Sequence, residues 1–479
     1  MFNAQRIIGN FKWLVVSQAV IILAGFLLSI LIPRYLGIVG FGKFSFAVSF
    51  SLIFASFADM GLNKLIIREV ARDRSGTGKL FANAIVLKIL LSILIYVGML
   101  VTVNFLDYTI DAKNIIYVMC LQSILVMLAS GMRGVFQAYE KMNYEAIVIL
   151  IEKALIVLFV IIAMMMSKGI VAISLGYLAG TIISAIISAH LVRRLSSGQL
   201  WTVELSSIKR VFVMAIPFFF VYVSSAINLR VDTVMLNMIL GHAVTGLYAV
   251  AQQSVLQLFL LSSLFTASVF PSMSRLAKTH ESHLRVMYCS GMKYLLIAGL
   301  PIVVGTALLQ DKIVRLFYGQ EFVGSAPILG LLVWLIVPYF LSTMLTNLLI
   351  AIDKQHVSSY SIGAGAVLNV FLNLLLIPRF GVFGAGIATI VTQSLIFIIQ
   401  YWVSIRAGFV WNLFQWKPLL SVGIMGVFVY FLREFNIGIV VISAAILYIA
   451  VLLLLRTFSL EERSLLAQVF TRKNSLVSE

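Results

Sequence analysis

Long, uninterrupted apolar segments recur along almost the whole chain, and no other feature constrains the fold as strongly. A helix that crosses a bilayer needs about 20 mostly apolar residues, and about fourteen segments meet that requirement. They lie at 13–33, 41–66, 81–105, 114–138, 145–166, 169–191, 211–239, 243–270, 287–309, 326–351, 357–377, 382–404, 416–432 and 437–455. The sequence therefore predicts an all-α polytopic membrane protein with about 14 transmembrane helices.

Composition excludes several other classes of protein. Hydrophobic residues make up 61% of the chain and charged residues 11%, whereas soluble domains have about 45–50% and about 25%. The net charge is +17, but no predicted loop could hold a soluble basic domain, so we expect no nucleic-acid partner. The positive charge is better suited to setting topology and attracting anionic lipids. No catalytic arrangement or metal-ligand set stands out, so we expect neither enzymatic activity nor a cofactor or metal.

Lys and Arg residues are distributed unevenly between the predicted loops. With the N-terminus in the cytoplasm, about 22 of the 35 Lys and Arg residues lie on the inner side and about 8 on the outer side. Cytoplasmic loops of membrane proteins carry such an excess. We therefore expect a multi-pass protein of the cytoplasmic membrane with both termini inside.

An internal repeat links the two halves of the chain. Gly37 and Gly42, in the first half, match Gly241 and Gly246 in the second, at a constant spacing of 204 positions. Two shorter matches follow in the same order at nearly the same spacing. Repeats of this kind are typical of transporters, in which the substrate site lies between the copies.

The repeat predicts how the chain is divided. Residues 1–200 and 205–405 would form two pseudo-symmetric six-helix lobes that share one orientation, because six is an even number of spans. Residues 416–455 would add two transmembrane helices, and residues 456–479 a cytoplasmic tail. A packed scaffold with no cavity is the alternative to a transporter.

Charged residues inside the predicted spans mark candidate functional positions, because each costs about 2.5–3.5 kcal/mol at mid-bilayer on insertion scales. Lys88 and Lys153 lie well inside their spans, and either a cavity-facing role or snorkelling and local pairing would explain them. Asp59 and Glu152 could couple transport to an ion or simply pair with neighbouring helices.

The seventh span is polar on two sides. At about 100° per residue, Ser225, Asn228 and Asp232 form one stripe along the helix. Arg230 and Thr233 belong to a second stripe on roughly the opposite side. A helix polar on two sides cannot face lipid with either of them. We expect one stripe to border a central aqueous cavity; the alternative is that both bond to neighbouring helices.

Several short motifs follow one another in order across nearly the whole chain. They include Asp59-Met60-Gly61-Leu62, Arg230-Val231-Asp232-Thr233, Tyr318-Gly319-Gln320-Glu321-Phe322, Ala351-Ile352-Asp353-Lys354 and Ile377-Pro378-Arg379-Phe380-Gly381. With these motifs the chain resembles the polysaccharide transporters (Wzx-type oligosaccharide flippases) of the multidrug/oligosaccharidyl-lipid/polysaccharide exporter superfamily. The resemblance implies a V-shaped, two-lobed bundle that moves a polyprenyl-diphosphate-linked oligosaccharide across the cytoplasmic membrane by alternating access.

The resemblance and the charge pattern together suggest roles for individual residues. The candidate diphosphate ligands are Arg230, Lys88, Lys153 and Arg34, and the candidate sugar contacts are Asn228, Asp232 and Ser225. The candidate coupling or pairing acids are Asp59 and Glu152. Expected partners are the lipid-linked oligosaccharide and membrane lipids, and family members often work beside glycosyltransferases and a polymerase. An ion-coupled exporter of organic cations and a lipid II flippase, both of the same superfamily, are the alternative functions.

Overall fold

The computed structural model describes residues 4–72, 77–105, 108–195 and 203–457, and every regular element within these ranges is a helix. Among the described residues eleven helical segments are long and apolar enough to cross a membrane, and one of them, Gln320–Ala351, consists of several consecutive helices. The predicted all-helical, multi-pass class is therefore confirmed. The predicted tail, 456–479, lies outside the described residues from position 458 onward.

The first half of the chain forms six helices. They are α1 (Ala4–Asp59), α2 (Leu62–Arg72), α3 (Thr77–Phe105), α4 (Ile110–Ala138), α5 (Met142–Met165) and α6 (Gly169–Leu195). The remainder forms α7 (Leu205–Leu240), α8 (His242–Thr279), α9 (Glu281–Tyr318), α10 (Ala326–Leu332), α11 (Ile336–Ala351), α12 (Gln355–Arg406), α13 (Trp416–Leu432) and α14 (Ile437–Leu454). Short 3₁₀ turns at Gln320–Ser325 and Val333–Leu335 flank α10.

Two of the long helices are interrupted by a kink at a glycine. Gly37 in α1 has φ 65° and ψ −179°, and Gly381 in α12 has φ 59° and ψ −136°, conformations that favour glycine. Beyond Gly381 the chain returns along itself, because a Cβ on Gly384 would meet the backbone of Leu376. The predicted count of 14 spans divides α1 and α12 into two spans each and includes the shorter α13; it stays a prediction.

The second predicted span, 41–66, is too long. The membrane helix ends at Asp59, and Met60 and Gly61 both have positive φ, 49° and 70°. The apolar residues after this turn belong to the amphipathic helix α2, which buries them against protein rather than lipid. Hydropathy registers an apolar residue in the same way in either setting, which explains the error.

The two halves of the chain meet at a close crossing of α1 and α8. A Cβ on Gly42 would overlap the carbonyl oxygen of His242, and a Cβ on Gly246 would overlap that of Ile38. These four residues are two pairs from the internal repeat, since each partner lies 204 positions from its counterpart. Glycine is therefore required at both positions for the two backbones to touch.

Candidate functional site

A cavity of about 220 Å³ lies between the first-half helices α1, α5 and α6 and the second-half helices α7 and α8. Two cationic side chains line it, Lys153 from α5 and Arg230 from α7. None of the described residues that line it is acidic. The cavity therefore presents two positive charges from opposite halves of the molecule.

Arg230 is the cation supplied by the second half. Its side chain is partly buried, and within the described ranges it forms neither a hydrogen bond nor an ion pair. A buried charge is normally paired, because desolvation is costly. Its planar guanidinium presents five N–H donors in a fixed geometry that matches carboxylate and phosphate groups. An Arg that forms no ion pair among the described residues is suited to bind an anionic group that enters the cavity.

Lys153 is held in place by a buried carboxylate. Its Nζ lies 2.9 Å from Oε1 of Glu152, whose Oε2 accepts hydrogen bonds from Arg133 (2.9 Å) and Ser184 (3.0 Å). The side chain of Lys153 remains 30% exposed, whereas that of Glu152 is 3% exposed. Glu152 therefore faces two cations, which leaves the group as a whole positive. The arrangement positions Lys153 with donors available to the cavity.

Asp232 lies on the other side of α7 from Arg230. Its Oδ2 accepts hydrogen bonds from Tyr248 (2.6 Å) and Thr389 (2.9 Å), while its buried Oδ1 has no hydrogen-bond partner. Asn228 and Ser225 line a second cavity, of about 430 Å³, within the second half. The structure thus separates the predicted sugar contacts from the two cavity-lining cations.

Lys88 and Asp59 form a fully buried ion pair in the first half. The distance from Nζ to Oδ1 is 2.6 Å, and Lys88 also donates to Asn63 Oδ1 (2.7 Å) and to the carbonyl oxygen of Met127 (2.8 Å). Neither residue lines the cavity of about 220 Å³ that contains Arg230 and Lys153, hereafter the cationic cavity. The three donors of the ammonium group are thus committed to protein acceptors. A role for Lys88 as a diphosphate ligand or for Asp59 as a coupling acid stays a prediction.

Arg34 lies where the two halves are bridged close to the Gly37 turn. Its Nη2 donates to the carbonyl oxygen of Leu316 at 2.5 Å. Nearby, the carboxylate of Glu321 accepts the backbone N–H of Ile38 at 3.0 Å. Arg34 is outside the cationic cavity, and these contacts join α1 to residues 316 and 321 of the second half. Its predicted role in diphosphate binding stays a prediction.

Comparison with known proteins places this arrangement in a family. A family model described as "polysaccharide biosynthesis protein" matches residues 7–277, which is more than half of the chain. The chain belongs to the polysaccharide biosynthesis protein family. The resemblance seen in the sequence is thereby confirmed.

Two relatives of this family member illustrate the range of similarity. The uncharacterized membrane protein MJ1375 of Methanocaldococcus jannaschii is 24% identical over 375 residues, which cover 73% of this chain and 86% of that protein. The probable flippase AglR of Haloferax volcanii is 28% identical over 168 residues, 34% of this chain and 35% of that protein.

Solved structures share the fold of this polysaccharide biosynthesis family member at low sequence identity. The lipid II flippase MurJ in an inward closed conformation matches with a TM-score of 0.77 and 14% identity, covering 97% of this chain and 99% of that chain. An inward-facing multidrug resistance MATE family transporter matches with a TM-score of 0.63 and 15% identity, over 82% and 98% of the two chains. At such identities these matches establish the fold alone.

Sequence reasoning missed the neutral polar residues of this family member's cavity. Gln252 and Gln253 on α8 line it together with Thr233, and Gln252 Oε1 accepts a hydrogen bond from Thr233 at 3.0 Å. Two adjacent glutamines inside a predicted span are a usable signal, because an amide is costly to bury without a partner. The 204-residue repeat also marked α8 as the counterpart of the second span, which lines the same cavity.

Proposed function

We propose that this protein is a flippase that moves polyprenyl-diphosphate-linked oligosaccharide repeat units across the cytoplasmic membrane for cell-surface polysaccharide synthesis. One observation carries the proposal: Arg230 and Lys153 line the same cavity from opposite halves of the chain, and no acidic residue is among its described lining. A diphosphate is negatively charged and loses its hydration water inside the membrane. Cationic side chains must therefore compensate for that loss while it crosses. Charge-assisted hydrogen bonds from Arg and Lys to phosphate are among the strongest in proteins.

Alternating access follows from two lobes that meet at one end. We assign residues 1–200 and 205–405 to the lobes of a V-shaped bundle, with residues 416–455 as an additional pair of helices and both termini in the cytoplasm. The Gly42–Gly246 crossing and the hydrogen bond from Ile38 N–H to Glu321 support a conformation in which the lobes are closed at the outer end. In this arrangement the head group enters from the cytoplasmic side while the polyprenyl tail stays in the bilayer. The lobes then rock to open the outer end.

The names of two relatives support the direction of this proposal. AglR is named a probable flippase, and Agl15 of the same organism a probable low-salt glycan biosynthesis flippase. The MATE-like fold does not favour a cation exporter, because a site for organic cations needs accessible acids. Asp232 and Glu152 are both buried and hydrogen-bonded to neighbours. A lipid II flippase would use the same diphosphate chemistry and differs in the glycan.

The test is a flipping assay in proteoliposomes that contain a polyprenyl-diphosphate oligosaccharide. An external glycosidase or lectin reports the rate at which the inner-leaflet pool becomes accessible. Arg230→Ala should slow protein-dependent flipping at least about tenfold, the equivalent of one lost charge-assisted hydrogen bond. Arg275→Ala is the matched control, because Arg275 is exposed on α8 and does not line the cavity.

Two outcomes would reject the proposal. One is full flipping activity in Arg230→Ala at equal reconstitution. The other is efflux of a fluorescent organic cation that is lost in Asp232→Asn and kept in Arg230→Ala. Lipid II offered in place of the oligosaccharide lipid separates the two flippase functions, since the preferred substrate should flip faster.

A further inference from the structure

The second cavity, of about 430 Å³, lies entirely within the second half and is formed by α7, α8, α11 and α12. Its size falls within the range of about 300–1,000 Å³ that is typical of ligand pockets. All of its polar lining side chains are uncharged hydroxyl, phenol or amide groups. They are Ser225, Asn228, Ser263, Thr266, Tyr339, Ser342, Thr343, Thr346, Asn347, Gln393 and Gln400.

Some of these groups have hydrogen-bonding capacity to spare. Asn347 has no hydrogen-bond partner within the described part of the chain, so its amide offers both donors and an acceptor to the cavity. Gln393 uses its Nε2 to bond Ser342 Oγ at 3.2 Å, which leaves its carbonyl oxygen available. Paired donors and acceptors at fixed positions are what a polyhydroxylated ligand requires.

The cavity is rigid on one side and open on another. The ring of Tyr339 stacks on Phe259 with centroids 3.7 Å apart and planes 7° apart, which fixes the orientation of the phenol. Ser263 and Ala267, on α8, are exposed and mark an opening. A ligand could therefore enter without unfolding the helices.

A small cavity of about 60 Å³ shares lining residues both with the 430 Å³ cavity, hereafter the neutral cavity, and with the cationic one. Gln252 lines both this small cavity and the cationic cavity. Asn228, Tyr339 and Gln393 line both the small cavity and the neutral cavity. The charged and uncharged cavities are thus adjacent, with Gln252, Asn228, Tyr339 and Gln393 at the boundary between them.

We propose that the neutral cavity binds an uncharged sugar of the glycan, a neutral hexose or an N-acetylhexosamine, while the diphosphate occupies the cationic cavity. This inference rests on the proposed flippase function. A uronic acid would be disfavoured here, because its carboxylate would lose hydration and find no cation in the lining. The cavity therefore selects by charge as well as by hydrogen bonding, and Asn347 and Gln393 are its specificity-determining residues.

Binding measurements on the full chain in nanodiscs test this inference. The probes are three short-chain polyprenyl diphosphates: one bare, one bearing a neutral disaccharide and one bearing a disaccharide with a uronic acid. The wild-type protein should bind the neutral glycolipid at least about tenfold more tightly than the bare lipid. Gln393→Leu and Asn347→Leu should each remove most of that difference and leave affinity for the bare lipid unchanged.

Two further variants complete the design. Asn114→Leu is the matched control, because Asn114 is exposed on α4 and lines none of the three cavities. Asn347→Lys should reverse the preference and favour the uronic acid lipid, because it places a cation in the neutral cavity. Retained affinity for the bare lipid reports that each variant is folded, so a lost glycan preference cannot be mistaken for misfolding.

The inference is overturned if the neutral glycolipid and the bare lipid bind the wild-type protein equally. It is also overturned if the uronic acid lipid binds as tightly as the neutral one, or if both leucine variants keep the full preference. A failure of the proposed function looks different. In that case none of the three lipids would bind, or Arg230→Ala would leave the affinity for the bare lipid unchanged.

Discussion

The two halves of the molecule cross in a symmetric way, yet their buried polar groups differ in kind. In the first half three of the buried charged side chains belong to ion pairs, Asp59 with Lys88 and Glu152 with Arg133, whereas buried Glu145 accepts a hydrogen bond from Gln137. In the second half Asp232 is the only charged residue among the described buried side chains. The other described buried polar side chains of the second half carry amides or hydroxyls. Asn369 and Gln400 are two of the amides.

This difference suggests a division of labour between the halves. Ion pairs fix helices against one another, because breaking one leaves an unpaired charge in a low-dielectric interior. Neutral amides form weaker bonds that a sugar hydroxyl can match or replace. The first half is therefore suited to act as a rigid frame, and the second half to recognise an uncharged group. Each half supplies one of the two cations that line the cationic cavity.

The largest expected effect is that of Lys88→Met. The change leaves the buried carboxylate of Asp59 without its ion-pair partner, and we expect a loss of about 3–5 kcal/mol in unfolding free energy. Thermal unfolding of the detergent-solubilised protein, followed by helical circular dichroism, measures it. The double variant Asp59→Asn/Lys88→Met should recover most of the loss. A single variant as stable as wild type would contradict the role of the pair in the frame.

The crossing of the halves should be the next most sensitive point. Gly42→Ala adds a Cβ that overlaps the carbonyl oxygen of His242, so α1 and α8 must separate. Overpacking of this kind costs about 1–3 kcal/mol. Gly98→Ala is the control, because a Cβ there meets no atom within 4 Å. Equal melting temperatures for the two variants would exclude the close contact between the halves.

A neutral bond in the second half should matter less than the ion pair of the first. Gln400 is buried; its Nε2 donates to Ser361 Oγ at 3.1 Å and its Oε1 accepts from Thr346 at 3.4 Å. Gln400→Leu should therefore cost only about 1 kcal/mol in the same unfolding measurement. A loss as large as that of Lys88→Met would remove the contrast between the two interiors.

Much of the fold was predictable from hydropathy and the repeat. The apolar segments located the helices, and the 204-residue spacing linked Gly42 with Gly246, which lie at the crossing. Rotation about α7 predicted that Arg230 and Asp232 point in different directions; in the structure Arg230 lines the cationic cavity and Asp232 accepts hydrogen bonds from Tyr248 and Thr389.

Pairings between distant residues were not predictable. Lys88 and Asp59 were each recognised as costly charges, but their contact depends on how α1 and α3 pack, which hydropathy does not encode. The neutral cavity was missed for a similar reason. Asn347 and Gln393 are separated along the chain and become neighbours only when α11 and α12 pack together.

The smallest expected effect is at an exposed ion pair between the first turn of α3 and the residue that precedes α7. Glu204 lies 2.8 Å from Lys79, and each side chain is 48% exposed. Lys79 lowers the pKa of Glu204, so any stabilisation is present above the usual pKa of a glutamate and is lost as the pH falls through the lowered value. Solvent and salt screen such a pair strongly. Glu204→Gln should leave the melting temperature unchanged at neutral pH, at low and at high salt. A clear drop at low salt would show that ion pairs stabilise the protein even at its surface, and that burial is not what distinguishes the Lys88–Asp59 pair.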